Sequence, residues 1–333
     1  MIGRAENLAD AGISHGGRLS EACARFGGAP ADWLDLSTGI NPVPWAGATP
    51  PPDWHRLPDP HDLVRLEAMA AHTFGVDPAL CCAVPGSELG LRVLASGLGL
   101  PGHYRAPCYS SYADAFGDAR QVSAPDDLPP GPRVMVLGNP NNPDGRINTE
   151  RELRGWQNAV REGWLIVDEA FAEATPDFRS VAPWVKHGER LIVLRSFGKF
   201  FGLAGARLGF VIAPPDVLAL VRRGQGAWPV GAGALALGLA AYADSAWIAA
   251  TRARLQSSAA ALDAVLARHG LPPFGACPLF RLVHNERAAA LFEALARDHI
   301  LTRPFTDQPR ALRFGLPAGP ADLARLDGAL ARG

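Results

Sequence analysis

The chain has 333 residues, 48% apolar and 20% charged, which is the balance of a folded globular protein and not of a disordered one. Its 32 Lys and Arg against 33 Asp and Glu leave a formal net charge of −1, so no bulk attraction draws it to nucleic acid. Five cysteines, at 23, 81, 82, 108 and 277, form no C-x-x-C pair and no zinc spacing, which points to reduced thiols and a cytoplasmic location. The N-terminal MIGRAENLADAG lacks the apolar core of a signal peptide. Residues 224–243 carry no charge, but they are mostly Gly and Ala with Pro229 inside. That predicts a buried helix behind a loop and no membrane span.

In chain order, residues 1–58 read as an irregular arm rich in Gly and Pro. Asp59-Pro60, an N-cap before a first-turn proline, predicts a helix to about His72. Gly86-Ser87-Glu88 opens a second helix that ends near GLGLPG at 97–102. The apolar run within 132–138 predicts a buried strand, and Thr149 with Glu152 makes a capping box for a helix to about Gly163. Further apolar runs at 164–170, 190–196 and 206–213 predict three more strands. Buried strands separated by helices indicate an α/β fold with a mostly parallel sheet. Beyond about residue 230 the pattern becomes a long helix at 245–268, a strand at 279–283, a helix at 286–298, short strands near 300 and 312, and a last helix from about 320. The expected organisation is an N-terminal arm (1–45) joining the small domain, a large domain (46–230), and a small α+β domain (231–333).

Ser196-Phe197-Gly198-Lys199, followed by Gly205-Ala206-Arg207-Leu208-Gly209, is the strongest local signal. A lysine directly after a buried strand lies at the carboxyl edge of the sheet, where open α/β sheets bind ligands. Desolvation by Phe197, Phe200 and Phe201 disfavours its ammonium and frees a nucleophilic amine, as a Schiff base to an aldehyde cofactor requires; the other reading is a surface lysine in a loop. Asp168 closes the strand WLIVD, and two strand ends of one parallel sheet can face one crevice. Pyridoxal phosphate needs such an acid at its pyridine nitrogen, because the protonated ring is the electron sink. Asp168-Glu169 also suits a metal, but no His or second acidic cluster stands nearby in sequence, and no metal is expected.

Gly86, Ser87 and Glu88 at a helix start offer N–H groups to a phosphate, with the helix dipole adding to them. Ser196 and Arg207 bracket the lysine and suit the same anion. Asn142, in the turn NPNNPDG, is either a hydrogen-bonding partner for a ligand oxygen or an ordinary turn residue. Tyr109 in APCYSSY either stacks on a flat ring or is core. The spacing GxGxxG at 97–102 follows a helix and contains Pro101, so it does not read as a dinucleotide site.

PGSE, PCYSSY, NPNNPDG, VDEAF, SFGKFFGLAGARLGF and a late LRFG, in this order, resemble the fold-type I pyridoxal-phosphate enzymes of the histidinol-phosphate aminotransferase-like branch. The resemblance implies Lys199 as the Schiff-base lysine, Asp168 as the pyridine-nitrogen partner, Asn142 as the contact to the ring hydroxyl and Tyr109 as the stacking ring. It implies Gly86, Ser87, Ser196 and Arg207 as phosphate contacts, and Arg313 of LRFG as the partner of the substrate carboxylate. His15-Gly16-Gly17, LDLSTGINP (34–42), AWPVGAGALAL and DSAWIAATRARL are similar to the threonine-phosphate decarboxylases of cobalamin biosynthesis. In that group the His-Gly pair, here His15 and Gly16, and an arginine at the place of Arg303 help hold the phosphorylated substrate, and Asn142 is expected to reach the substrate as well as the ring. Phe171 agrees with the decarboxylases, since the aminotransferases usually carry tyrosine there.

The expected activity is thus pyridoxal 5'-phosphate-dependent decarboxylation of L-threonine O-3-phosphate to (R)-1-aminopropan-2-yl phosphate and CO2. The alternative is an aminotransferase for a phosphorylated substrate such as histidinol phosphate. The resemblance also implies a homodimer; no nucleic-acid or membrane partner is expected. Three positions depart from the pattern. Leu57 stands where a tyrosine usually reaches the partner subunit's cofactor phosphate, a contact left to His55 or Arg56. Gly39 stands where the decarboxylases have a substrate-binding asparagine, so only its backbone serves. Asp144 replaces the usual threonine of the NNP turn.

Overall fold

The structure, a computed structural model, describes residues 16–332; His15, the residues before it and Gly333 lie outside the described part. The chain divides into two compact units, one from Pro44 to Arg252 and one built from the flanking segments up to Val43 and from Ala253 onward. The sequence reading put these boundaries after residues 45 and 230. Helix-on-helix packing moves the second: Gly238 lies against Leu66, so the helix that contains it stays with the larger unit.

The N-terminal segment carries α1 (Leu19–Phe26) and β1 (Leu34–Asp35), where the sequence reads as an irregular arm. Helix α1 has eight residues and no side-chain cap at Arg18, so the usual N-cap signal does not mark it. Its Phe26 packs edge-on against Phe292 and at a tilt to Trp33.

The larger unit begins with α2 (Pro60–Phe74), β2 (Cys81–Val84), α3 (Ser87–Leu98) and β3 (Gly102–Tyr104). It continues through α4 (Ser111–Phe116), β4 (Arg120–Gln121), β5 (Val134–Gly138), α5 (Glu150–Ala159), β6 (Trp164–Asp168) and β7 (Leu191–Ser196). The one-turn α6 (Phe197–Phe200), β8 (Gly209–Ile212), α7 (Pro215–Gln225) and α8 (Ala232–Ala243) complete it with the start of α9 (Ser245–Arg268). Asp59 caps α2 by accepting from the His61 N–H, and Thr149 with Glu152 closes the expected box on α5.

Seven strands form one sheet in the order β2-β8-β7-β6-β5-β3-β4. The run from β7 to β4 is parallel, whereas β8 is antiparallel to both neighbours. The apolar run of β8 told that it is a buried strand but not its direction, since burial on both faces suits either. Strand β2 reads CCAV and is wholly buried; Cys81 and Cys82 serve as small core residues. Because β8 reverses twice, β2 runs the same way as β7. The carboxyl ends of β2, β3, β5, β6 and β7 therefore share one edge of the sheet. The core beneath it joins Val136, Ile166, Ile192 and Leu194 of the sheet to Leu91 and Leu94 of α3 and Val217 and Val221 of α7.

In the smaller unit, β9 (Pro273–Phe274), β10 (Phe280–His284), α10 (Ala288–Arg297), β11 (Ile300–Leu301), β12 (Arg303–Pro304), β13 (Ala311–Gly315) and α11 (Pro320–Leu330) follow α9. Strands β12, β13, β10 and β9 form an antiparallel sheet, and β1 pairs in parallel with β11. No single described helix is long and apolar enough to cross a membrane; the uncharged stretch at 224–243 holds α8, which meets α9 at 79°.

Candidate active site

One cavity opens at the shared carboxyl edge and is lined from five strand ends. Gly86, Ser87 and Glu88 follow β2; Tyr109 and Tyr112 follow β3; Asn142 follows β5; Asp168 ends β6; Ser196 and Lys199 end and follow β7. Arg207 and Leu208, just before β8, close the wall, and Phe171 lies in the turn after Asp168. Every residue that the sequence assigned to cofactor binding thus lines one pocket.

Lys199 sits on α6, one turn beyond β7. The sequence reading has Phe197, Phe200 and Phe201 flanking the lysine and desolvating it. Instead they turn into the core, at most 1% exposed, and anchor the backbone that carries it. Phe197 stacks on Phe201 at 4.6 Å, and Tyr242 and Trp247 pack on the same cluster. Gly198 lets the next loop approach: a Cβ there would stand 2.6 Å from the Ala204 Cα. The lysine is half-buried on a rigid aromatic base, which fixes where its amine reaches.

Asp168 is held from two sides. The Tyr112 hydroxyl donates to Oδ2 at 3.0 Å, and the Ala170 N–H donates to Oδ1 at 3.0 Å. Desolvation pushes its carboxyl above the ordinary range, opposed by Tyr112, the Ala170 N–H and the nearby Lys199 ammonium. Glu169 is wholly buried and turns away, accepting from Arg195 at 2.8 Å, from the Ser180 hydroxyl at 2.5 Å and from the Val181 N–H at 2.8 Å. The pair Asp168-Glu169 is therefore split between two sites, which removes the arrangement a metal would need. No metal-holding cluster of His, Cys, Asp or Glu occurs among the described residues.

The phosphate side is built from backbone. Gly86 has φ +88°, and a Cβ there would meet the Arg207 guanidinium, with Nη2 at 2.7 Å. Glycine is required both for the turn and for that approach. Helix α3 starts at Ser87 and directs its first N–H groups and its dipole at the pocket. Arg207 itself has φ +49°, a left-handed turn that brings its side chain back over Gly86. Gly209 is also tight, since a Cβ there would lie 2.5 Å from the Ser87 N.

Glu88 does more than lend an N–H. Its carboxylate accepts from Arg92 at 3.2 Å, the Ser111 hydroxyl at 3.1 Å and the Tyr109 hydroxyl at 3.3 Å. Burial works against its charge, but Arg92, Ser111 and Tyr109 outweigh it and hold the carboxyl below its usual range. The result is a tether on Tyr109. In the NNP turn, Asn141 donates to the Pro107 carbonyl at 2.8 Å and to Asp144 Oδ1 at 2.7 Å, and Asp144 also accepts from the Arg146 N–H. Asp144, a departure in sequence, has a role here as the turn's internal acceptor. Asn142 lines the pocket.

This donor set fits pyridoxal 5'-phosphate. Helix N–H groups, Ser87, Ser196 and Arg207 suit the phosphate, a desolvated carboxylate suits the pyridine nitrogen, Tyr109 suits the ring face, and a lysine amine suits the aldehyde.

Of the predicted substrate residues, Asn142 lines this pocket, whereas Gly16, Gly39, Arg303 and Arg313 lie in the other unit. Arg303 and Arg313 are register partners on β12 and β13, and both guanidinium groups lie near the Phe305 ring. Arg313, 6% exposed, donates to the Ser37 carbonyl at 2.8 Å. Burial and the neighbouring Arg303 charge push its pKa down to about 10. The Ser37 turn is braced by Asp35 Oδ1, which accepts from the Ser37 N–H and hydroxyl. Gly16 packs so closely on the Ser37 carbonyl that a Cβ would overlap it, and the Gly17 N–H donates to the Ser37 hydroxyl at 2.8 Å. Gly39 is buried two residues beyond. His15 lies outside the described residues.

Sequence reasoning missed Tyr112 and the Glu169–Arg195 pair. The signal for Tyr112 was its spacing of three from Tyr109 in YSSY, which sets both rings on one face of a turn. They meet edge-on at 5.8 Å and 89°.

The aminotransferase class I and II family model matches residues 93–326 of this chain. A curated threonine-phosphate decarboxylase from Pseudomonas aeruginosa is 42% identical, over 96% of this chain and 97% of its own length. One from a Sinorhizobium species is likewise 42% identical, over 96% and 98%. The chain shares its fold with the crystal structure of histidinol-phosphate aminotransferase from Sinorhizobium meliloti in complex with pyridoxal-5'-phosphate. The TM-score is 0.72 at 22% identity, covering 84% of this chain and 82% of that one.

Proposed function

The chain belongs to the aminotransferase class I and II family, and from that premise we propose that it decarboxylates L-threonine O-3-phosphate, with pyridoxal 5'-phosphate as its cofactor. The observation that carries the reading is 42% identity to threonine-phosphate decarboxylases along nearly the whole chain. The geometry agrees with it: two arginines in register suit a substrate with two anionic groups.

When bound, the cofactor supplies an electron sink for the bond broken at the substrate Cα. Ser87, Ser196, Arg207 and the start of α3 hold its phosphate. Asp168 keeps a proton at the pyridine nitrogen, and Tyr109 and Asn142 orient the ring. Lys199 holds the cofactor through Nζ in the resting enzyme. The same Nζ would hold the proton that Cα takes in place of the lost carboxyl group. Arg313 is assigned the substrate carboxylate and Arg303 its phosphate, and Gly16, Gly39, Asn142 and His15 are assigned to the same substrate by resemblance. A remote dianion gives binding energy that is spent on orientation at the reacting carbon. Phe171 lines the pocket with a ring that has no hydroxyl to donate, where a tyrosine would offer one.

The substrate is consumed as L-threonine O-3-phosphate plus a proton, giving (R)-1-aminopropan-2-yl phosphate and CO2. Purified protein, loaded with cofactor and given threonine phosphate, should release CO2 and the amine phosphate in equal amounts with no keto acid. Turnover of histidinol phosphate with 2-oxoglutarate, and none of threonine phosphate, would replace this reading with the aminotransferase one.

The protein is proposed to act as a homodimer in the cytoplasm. Trp54, Leu57 and Trp228 are 76%, 65% and 53% exposed, an apolar load that a second copy would cover. Leu57 offers no hydroxyl to a partner's site, and Arg56 beside it is exposed and engages Asp53 at 3.4 Å. No disulfide joins any of the five cysteines, in keeping with the proposed reducing compartment.

A further inference from the structure

Tyr112 is 2% exposed and touches two of the groups assigned to the cofactor ring, Asp168 and Tyr109. Its hydroxyl reaches Asp168 Oδ2 at 3.0 Å, and its ring stands edge-on to Tyr109 at 5.8 Å. The space for that hydroxyl is made by Gly138, the register partner of Asp168 on β5. A Cβ at 138 would lie 3.2 Å from the Tyr112 Oη and 2.8 Å from the Asn141 Oδ1. A packed ring, a glycine that clears its tip and a directed hydrogen bond amount to a built contact rather than incidental core packing.

We propose that Tyr112 is the positioning residue of the cofactor ring: its hydroxyl fixes Asp168 in one rotamer as an ionised acceptor, while its ring sets the tilt of Tyr109. The proposal rests on the cofactor reading above. A carboxylate has about four acceptor sites, so with one donor on each oxygen Asp168 keeps lone pairs for the pyridine N–H. Desolvation raises the Tyr112 phenol well above its ordinary range, with the Asp168 charge adding to it, so it stays a donor at every working pH. Without that donor the desolvated Asp168 becomes more basic and draws the shared proton away from the ring nitrogen.

The test is Tyr112→Phe, which removes one oxygen and keeps the packing. Holoenzyme loaded with ring-15N-labelled pyridoxal phosphate is compared with the unsubstituted holoenzyme at neutral pH. The expected result is a ring-nitrogen signal moved from the protonated toward the unprotonated pyridine position. With it, kcat falls about tenfold while KM holds. A ring-nitrogen signal identical in both proteins overturns the proposal, since a merely structural tyrosine would leave that signal in place. Failure of the unsubstituted protein to take up the cofactor overturns the underlying reading and this one with it.

Discussion

Arg195 and Glu169 form a buried ion pair at 2.8 Å, one residue before Ser196 and one after Asp168. Arg195 also binds Glu173 at 2.8 Å, and its cation lies 4.5 Å from the Phe74 ring centroid. Alternation along a strand sends Ser196 and Asp168 to the pocket and their neighbours to the opposite face. The ion pair thus ties together the two strand ends that carry the chemistry, from behind.

Breaking it is costly. Arg195→Met leaves two buried carboxylates without their cation, and unfolding free energy should drop by about 3–5 kcal/mol. Urea denaturation measures it; a loss below about 1 kcal/mol would show that the pair does not brace the strands.

Much of this frame was legible in the sequence. Lys199, Asp168, Ser196 and Arg207 announce themselves because each follows or precedes an apolar run long enough to be a buried strand. Helix α2 was visible through Asp59-Pro60 and α5 through Thr149 and Glu152. Helix α1 was hidden because Arg18 gives no cap signal, and the direction of β8 because its residues are buried on both faces. Tyr112 and Arg195 were hidden for a different reason. Their partners, Asp168 and Glu173, are distant or out of phase in sequence, so only the folded sheet brings them into contact.

Gly86 should tolerate no side chain. Its φ of +88° opposes a Cβ, which would also push the Arg207 guanidinium aside, so Gly86→Ala should weaken cofactor affinity about tenfold or more. Equilibrium titration of apoenzyme followed by visible absorbance reads this directly. Unchanged affinity would remove the phosphate from this cradle.

Arg303 should determine preference for a phosphorylated substrate. Arg303→Ala should lower kcat/KM for threonine phosphate about 30-fold or more, with far less effect on unphosphorylated threonine. Equal losses for both substrates would place the phosphate elsewhere.

Arg313 sets an alkaline limit. Its pKa is pushed down to about 10, by burial first and then by Arg303, and only its protonated form holds a carboxylate. KM should therefore rise as pH passes about 10. A KM without change across that range, measured while the protein remains folded by circular dichroism, would separate Arg313 from substrate binding.

The account stands or falls on the fate of one carbon. L-threonine O-3-phosphate labelled with 13C in its carboxyl group, turned over by the cofactor-loaded protein, should deliver all of the label as CO2. The same label recovered in a keto acid, or left in untouched substrate under conditions where the protein carries its cofactor on Lys199, would contradict it.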